Sequence, residues 1–502
     1  VLADDWLPIK DTSLEIVAGS ALDFSALVES GTAGQHGHII SSHGHLAYSD
    51  SPDSPRRFFC ASAPYGHDGF PDHASADRYA KQVRLHGYNV ARFHFVELLL
   101  MEGQHQDFAF NPEQLDRFYY LLAALKREGV YWLMDGMTSW NGAYGDIEDR
   151  WESKHDTKMR VYFDKEVQVH WKRLIQDILN RKNPYTQLTV LQDPALLGVI
   201  LVNEGGLNHA VNLSSADLSD LHDLGNIFSD WLIKKYGSTS KAFEIWGENL
   251  NSLGVIMARR DWNATPRVRD TQLFYYELQK NTLDWMTAYL RELGYSGLIT
   301  AYDNWAVLQD TASRAALSWV DMHAYDAEPS DYIATGSSLK QESSFNNQLA
   351  YIRELAGTRY FNKPFTVTEY DQPFWNQSRY ETGLAIGAYS SLQHWDLICR
   401  HTSAIELEYN SHKIKPFLIG LDPITRADET LAALLFARGD VKPALHQINL
   451  HLTPEYVFDQ QAGIAKLPDY LTTIGLVTGL SLTWQDSSTA DINIEPNHPS
   501  PN

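Results

Sequence analysis

Two glutamates each stand at the end of an apolar run that suits a buried strand. Glu204 follows "LLGVILVN", which ends in Asn203, and Glu369 follows "PFTVT". A carboxylate in such a place is costly to desolvate unless it is paired, hydrogen-bonded or used in chemistry. Two carboxyl groups that face each other can cleave a glycosidic bond, because one protonates the departing oxygen while the other attacks the anomeric carbon or activates water.

Other polar side chains also follow strand-like runs. They are Arg92, His94, Asp135, Asp303, Asn304, His323 and Tyr325. In a barrel of parallel strands, reactive side chains collect at the carboxyl ends of the strands, so these residues would share one edge with the two glutamates. The ordinary alternative for each glutamate is a salt bridge with an arginine or a helix cap. Two such strand ends in one barrel favour the catalytic interpretation.

Strand and helix patterns alternate from residue 57 onwards. "RRFFCASAP", "YNVARFHF" and "VYWLMDG" are apolar runs, whereas "ASADRYAKQVRLHG" and "PEQLDRFYYLLAALKREG" have helical spacing. Counting to about residue 407 gives eight strands, most of them near-continuous apolar runs, as expected when both faces of a sheet are covered. The pattern predicts an α/β fold, a parallel (β/α)8 TIM barrel. An open doubly wound sheet is the alternative, but "APYGHDGFPD" lacks the glycine-rich phosphate turn that such a sheet carries after its first strand.

The chain divides into three segments on this interpretation. Residues 1–56 mix short apolar runs with turn signals and predict a β-rich N-terminal segment. Residues 57–440 form the barrel. Residues 441–502 are expected to form a β-rich extension with a frayed tail, because they hold runs such as "YLTTIGLVTGLSLTW" and end in a polar Pro/Asn stretch.

Composition excludes several classes of partner. The 502 residues are 44% hydrophobic and 21% charged, with a formal net charge of −22, which is ordinary for a globular protein and repels phosphate backbones. We therefore expect no nucleic acid partner. No run approaches the roughly 18 apolar residues that span a bilayer, so we expect no membrane partner. The 60 aromatic residues (14 Trp, 26 Tyr and 20 Phe) supply either extra core or flat faces for sugar rings.

The two cysteines test the strand count. Cys60 lies in the first predicted barrel strand and Cys399 in the last, and these strands are neighbours when a barrel closes. We expect two buried thiols that lie close together without necessarily being bonded. Two cysteines do not decide the cellular compartment.

Four motifs carry a resemblance to a known family. The segments "GYNVARFH", "ILVNEG", "MHAY" and "FTVTEY" resemble the second, fourth, sixth and seventh strands of the clan A retaining glycoside hydrolases, most closely family 5, which contains cellulases and mannanases. The resemblance spans residues 57 to about 440. It implies that Glu204 is the general acid/base and Glu369 the nucleophile.

The resemblance also implies roles for the neighbouring residues. Arg92 would keep Glu369 ionised, and Tyr325, in the His-x-Tyr motif with His323, would orient it. Asn203 would hydrogen-bond the sugar 2-hydroxyl. Further substrate contacts are expected from His94, Asp135, Trp305 and Trp395, the last as the aromatic floor that the family carries after its eighth strand.

The two glutamates are expected to differ in ionisation. A general acid must start protonated, so we expect burial and the charge of Glu369 to raise the pKa of Glu204. We expect the two carboxyl groups to lie about 5 to 5.5 Å apart, as in retaining enzymes, and not at the roughly 6.5 to 9.5 Å of inverting ones.

The predicted function is hydrolysis of a neutral β-linked oligo- or polysaccharide of glucan or mannan type, without a cofactor or a metal. One alternative is an exo-acting enzyme of the same clan, similar to β-galactosidases or β-mannosidases. Another is a carbohydrate-binding barrel without activity. A metal-dependent hydrolase that uses His94 and His323 is disfavoured because no H-E-x-x-H motif is present. We expect a secreted or periplasmic protein whose leader is absent from this sequence, with the cytoplasm as alternative; the sequence indicates no oligomeric state.

Overall fold

The computed structural model describes most of the chain. It covers residues 11–63, 69–139, 156–212, 218–249, 253, 265–331, 336–409, 414–460, 466–486 and 488–496. Within these ranges, no helix is both long and apolar enough to cross a membrane.

Eight parallel strands form the centre of the molecule. In chain order they are β3 (Phe58–Ser62), β4 (Val90–Phe93), β5 (Tyr131–Asp135), β6 (Leu196–Ile200), β7 (Leu298–Thr300), β8 (Val320–Tyr325), β9 (Phe365–Asp371) and β10 (Leu397–Arg400). Their order in the sheet is β7-β6-β5-β4-β3-β10-β9-β8. Between β7 and β8, the Ser318 hydroxyl bonds both the N–H and the carbonyl of Ile299, each at 2.7 Å. The predicted (β/α)8 barrel is confirmed.

Helices follow the strands and cover the outside of the barrel. Several begin at side-chain caps, since Asp72, Asn111 and Thr265 each accept a hydrogen bond from a backbone N–H in the first turn. The α-helices in the described ranges are His73–Leu85, Val96–Met101, Pro112–Arg127, Thr157–Arg160, Lys165–Leu174, Leu207–Asn212, Leu218–Tyr236, Thr239–Trp246, Pro266–Glu292, Thr311–Arg314, Ala350–Ala356, Thr382–Leu392, Pro423–Ala432 and Asp469–Thr472.

The barrel interior is filled by side chains of complementary size. Trp319, directly before β8, is fully buried, and its indole N–H donates to the Thr366 hydroxyl at 2.9 Å. Gly198 in β6 leaves room for this ring, because a Cβ at Gly198 would overlap the six-membered ring of the Trp319 indole. A larger residue at 198 would displace the indole and disturb the packed core.

Small sheets flank the barrel, as the sequence predicted. The hairpin of β1 (Ile39–Ser42) and β2 (His45–Tyr48) precedes it, and Asp396, just before β10, accepts hydrogen bonds from the Leu46 N–H at 2.9 Å and from His45 at 3.1 Å. After the barrel, β11 (Gln447–Leu452) pairs in parallel with β12 (Gly479–Trp484) and β13 (Ile492–Ile494). The division at residues 56 and 440 stays a prediction, and the expected frayed tail from residue 497 lies outside the described residues.

The two cysteines close the barrel covalently. Cys60 and Cys399 are paired in register on β3 and β10, as the strand count predicted, and they form a disulfide across 339 residues of chain. The expectation of two thiols is therefore wrong. The sequence indicated neighbouring strands, but bonding depends on the pair being directly opposite each other, and that depends on the register.

Replacing both cysteines with alanine is expected to lower the free energy of unfolding by about 2–5 kcal/mol, because the bond restricts a very long loop in the unfolded chain. Urea denaturation of the wild-type protein and of the Cys60→Ala/Cys399→Ala variant measures the difference. Each single variant should lose as much as the double one. Two titratable thiols in the unfolded, unreduced wild-type protein would contradict the bond.

Candidate active site

Arg92 is the centre of a polar cluster at the carboxyl ends of the strands. Its guanidinium is fully buried and donates to Glu369 Oε1 at 2.6 Å, to Asn203 Oδ1 at 2.7 Å and to Asp135 Oδ2 at 2.9 Å. Glu369 lies in β9, Asn203 follows β6 and Asp135 ends β5, so one cation on β4 joins three other strands. The structure thus brings together residues that the sequence placed at separate strand ends.

Glu369 is held as a carboxylate. It accepts hydrogen bonds from the Arg92 guanidinium at 2.6 Å and from the Tyr325 hydroxyl at 2.5 Å. Burial alone would raise its pKa, but the surrounding histidines, His323 above all, and Arg92 together outweigh burial and hold the pKa well below the usual range. The Glu369 carboxylate is therefore ionised and held in a fixed orientation.

Glu204 is fixed through its backbone as well as its side chain. It has a φ of +53°, a left-handed conformation that is uncommon for a residue other than glycine. Its N–H donates to Asp303 Oδ1 at 2.7 Å, and its carbonyl oxygen lies 3.2 Å from Nδ1 of His209. Its carboxylate Oε1 lies 3.1 Å from Nδ1 of His323. These contacts keep the carboxylate at the barrel mouth.

The expected ionisation of Glu204 is wrong for the protein without substrate. Burial and the charge of Glu369 raise the pKa of Glu204, but the hydrogen bond and the charge of His323, together with the charge of His209, outweigh them, and the pKa falls to about 2. For His323, burial disfavours the charge, whereas Glu369, Asp303 and Glu204 favour it and raise its pKa to about 10. The sequence could not show this imidazole between the two glutamates, and the proton therefore rests on His323.

His94 and Asp135 support Arg92. His94 Nδ1 lies 2.6 Å from Asp135 Oδ2, and Asp135 also accepts from the Thr138 hydroxyl at 3.2 Å. Burial raises the pKa of Asp135, but the charges of Arg92 and His94 and their hydrogen bonds together bring it below its usual value. Because most of the Asp135 hydrogen-bonding capacity is used within the protein, it positions Arg92, whereas His94 also lies 3.8 Å from Glu369.

Trp305 stands beside the cluster and is partly exposed. It follows β7, and its ring meets the edge of the His209 ring at a centroid distance of 5.3 Å. Asn304 accepts from the Trp305 N–H at 2.7 Å and lies 3.0 Å from His209 Nε2. Trp305 is therefore tied to the loop that holds Glu204 and remains partly exposed.

Trp395 does not belong to the site. It lies before β10, at the opposite end of the barrel from the cluster, and is fully buried against Phe365 with ring centroids 5.2 Å apart. The prediction that Trp395 floors a sugar subsite is wrong. The segment "HWDLICR" mixes apolar and polar residues and includes the turn before the strand, so the sequence did not show where the strand begins and ends.

His401, which the sequence analysis did not consider, occupies that strand end. It directly follows β10, and its Nδ1 lies 3.8 Å from Glu369 Oε2. Burial lowers its pKa to about 4, so the ring is neutral at neutral pH. Its ring also meets the Phe417 ring at 5.3 Å. The signal in the sequence was the change from apolar to polar residues after "LIC".

Lys158 was also missed, because it belongs to a short helix in the long connection after β5. It is buried, and its charge acts on Glu204, Asp303 and Glu369. Burial lowers its pKa. The pattern of apolar runs contains no signal for a lysine at this place.

Two groups in the described part of the chain bring three potential metal ligands within 4.8 Å of one another. They are Glu204, His323 and Glu369, and Asp303, Asp321 and His323. Both groups share His323, whose two nitrogens already face Glu204 at 3.1 Å and Thr368 at 2.9 Å. The clustering of donors is accounted for by hydrogen bonding around this imidazole.

Comparison with known proteins identifies the fold. No family model matches the chain, and no curated protein matches its sequence. An endo-1,4-β-mannanase from Rhizomucor miehei is similar in structure, with 13% identity, 79% of this chain and 99% of that chain covered, and a TM-score of 0.50. A β-galactosidase from Rahnella sp. R3 is also similar in structure, with 11% identity, 86% of this chain and 65% of that chain covered, and a TM-score of 0.55. The chain has the barrel fold of glycoside hydrolases, which confirms the predicted clan A resemblance at the level of the fold.

Proposed function

We propose that the protein is a retaining β-glycosidase. One observation carries the proposal: an oxygen of Glu204 and an oxygen of Glu369 lie within 4.8 Å of each other. Retaining enzymes hold their two carboxyl groups about 5 to 5.5 Å apart, whereas inverting enzymes need roughly 6.5 to 9.5 Å to admit a water molecule. The spacing supports direct attack by a carboxylate on the sugar.

The mechanism follows from the unequal surroundings of the two glutamates. Glu369, ionised beside Arg92 and Tyr325, attacks the anomeric carbon and forms the glycosyl ester. Glu204 gives a proton to the departing glycosidic oxygen as that bond breaks. In the second step Glu204 removes a proton from water, which attacks the anomeric carbon, and the ester bond to Glu369 breaks.

The proposed substrate is a neutral β-linked glucan or mannan. Trp305 offers a flat face for a sugar ring. Asn203, whose Oδ1 accepts from Arg92 at 2.7 Å, is the residue that would contact the sugar 2-hydroxyl. An endo-mannanase and a β-galactosidase share the fold. Hydrolysis of a β-galactoside is therefore the second candidate.

A panel of aryl β-glycosides tests the proposal. The panel holds β-glucoside, β-mannoside and β-galactoside together with the corresponding disaccharides, with matched α-glycosides as controls. We expect turnover of at least one β-glycoside and of no α-glycoside, with the product released first in the β configuration by NMR. Sugar binding without turnover would instead identify an inactive carbohydrate-binding barrel.

Trp305→Ala is expected to raise KM by about tenfold, because the stacking surface is lost from the ligand and not from the core. Steady-state kinetics on the best substrate of the panel measures the change. The control is Trp231→Ala, since the Trp231 indole donates to Glu277 at 2.8 Å on the outer helices. An unchanged KM with a lowered melting temperature in Trp305→Ala would assign the ring to packing.

We also propose that the protein acts outside the cytoplasm. The Cys60–Cys399 bond supports this, because disulfides persist in oxidising compartments and are rare in the cytosol. Fractionation of the source cells should find the oxidised protein outside the cytoplasm. A cytoplasmic protein with both thiols reduced would contradict the proposal.

A further inference from the structure

We propose that Thr368 and Asp321 are positioning residues that fix the protonation of His323 and thereby keep one proton in the His323–Glu204 hydrogen bond. The inference rests on the proposed function, because it identifies where the acid proton is stored. It is carried by a chain of hydrogen bonds that runs from the barrel core to the general acid.

The chain begins at Asp321 in β8. This carboxylate is fully buried, and its two oxygens accept hydrogen bonds from the hydroxyls of Thr366 and Thr368 on β9. A hydroxyl has one proton to give. The Thr368 proton is used on Asp321, so the Thr368 oxygen is left as an acceptor.

His323 Nε2 therefore carries a proton. It lies 2.9 Å from the Thr368 oxygen, which accepts, and it also faces Asp303 Oδ2 at 3.5 Å and Asp321 Oδ2 at 3.7 Å. Asp303 Oδ2 is buried and makes no hydrogen bond within the described residues, so its remaining charge faces this nitrogen. Acceptors surround Nε2, and this fixes the imidazole orientation.

The other nitrogen then shares one proton with Glu204. Nδ1 lies 3.1 Å from Glu204 Oε1. With Nε2 protonated, the contact is a hydrogen bond in two states only: a neutral imidazole with a protonated Glu204, or an imidazolium with an ionised Glu204. Both states hold one proton between the two groups, and the surrounding charges favour the imidazolium.

This arrangement reconciles the ionised Glu204 with its role as an acid. When the glycosidic bond breaks, the proton passes from Nδ1 to the Glu204 carboxylate, and Glu204 gives a proton to the departing oxygen. His323 ends neutral and Glu204 ends ionised. In the second step the proton from the attacking water restores the pair, so no other acid is required.

The charged and titratable groups that face His323 come from several strand ends and from the helix Leu207–Asn212. They are Glu204, His209, Asp303, Asp321, Glu369, Arg92 and His401. The carboxylates raise the pKa of His323, whereas burial and Arg92 lower it. Removal of an acceptor beside Nε2 therefore lowers the pKa of His323. The His323–Glu204 pair then loses its shared proton at a lower pH.

Thr368→Val tests the chain. The alkaline limb of its kcat/KM profile is expected to move down by about one pH unit, with about tenfold loss on a poor leaving group and much less on an activated one. Asp321→Asn should shift the limb in the same direction, and Thr368→Ser should restore it. The matched control is Thr366→Val, which removes the other hydroxyl from Asp321 and the acceptor of the Trp319 indole but no contact with His323. Its melting temperature should fall, whereas the alkaline limb of its kcat/KM profile should move much less than that of Thr368→Val.

A second measurement does not depend on turnover. Nitrogen-15 NMR of histidine-labelled wild-type protein, assigned with His323→Gln, should find Nε2 of His323 protonated and Nδ1 sharing a proton. An unprotonated Nε2, or equal pH profiles for Thr368→Val and Thr366→Val, would overturn the inference. A wild-type protein without glycosidase activity but with this NMR signature would reject the proposed function alone.

Discussion

Glu369→Gln is expected to abolish turnover of every β-glycoside, with kcat/KM lowered by about 10⁴-fold or more, because the carboxylate that forms the glycosyl ester is removed. The loss should be the same for good and poor leaving groups, since the nucleophile is needed for both. Steady-state or single-turnover kinetics across the aryl glycoside panel measures it.

The control for this variant is Glu429→Gln. Glu429 is also buried and accepts from the Tyr88 hydroxyl at 2.7 Å, but it lies on the outer helix Pro423–Ala432. It should keep wild-type kinetics at a somewhat lower melting temperature. A Glu369→Gln protein that retains more than a few percent of activity on a purified substrate would remove Glu369 from the mechanism.

Glu204→Ala is expected to lose activity according to the leaving group. The rate of hydrolysis of disaccharides and alkyl glycosides should fall by about 10³-fold or more. Activated aryl glycosides need little protonation and should form the glycosyl ester at nearly the normal rate. Added azide should then accelerate turnover, because a small anion can attack the ester without a general base. The product should be the β-glycosyl azide, which NMR identifies.

Two outcomes would contradict that assignment. An α-glycosyl azide would mean that azide attacks in place of Glu369 and that the roles of the two glutamates are reversed. Equal losses on activated and poor leaving groups would remove Glu204 from proton transfer. The Glu429→Gln control should show no azide acceleration.

The barrel was predictable from the sequence because its strands are covered on both faces. Each strand therefore appears as a short apolar run, and the polar residue that ends the run marks the strand's carboxyl end. Glu204, Glu369 and Arg92 were located in this way. The same rule failed for Trp395, because an aromatic residue in the turn before β10 extended the apolar run towards the wrong end.

Contacts that depend on register were not predictable. His323 lies opposite Glu369 only because the pairing of β8 with β9 shifts between Asp321 and His323. That shift accompanies the placement of Thr368 beside both Asp321 and His323. The Cys60–Cys399 bond likewise required the register of β3 on β10. No residue pattern along one strand contains this information.

Trapping the covalent intermediate tests most directly whether Glu369 is the nucleophile. The protein is incubated with an aryl 2-deoxy-2-fluoro-β-glycoside of the preferred sugar, whose fluorine slows hydrolysis of the glycosyl ester, and is then digested and analysed by mass spectrometry. We expect one fluoroglycosyl group, on the peptide that contains Glu369, and none on the Glu369→Gln protein. An adduct on Glu204 or on any other residue, or hydrolysis with inversion and no adduct at all, would contradict a retaining mechanism through Glu369.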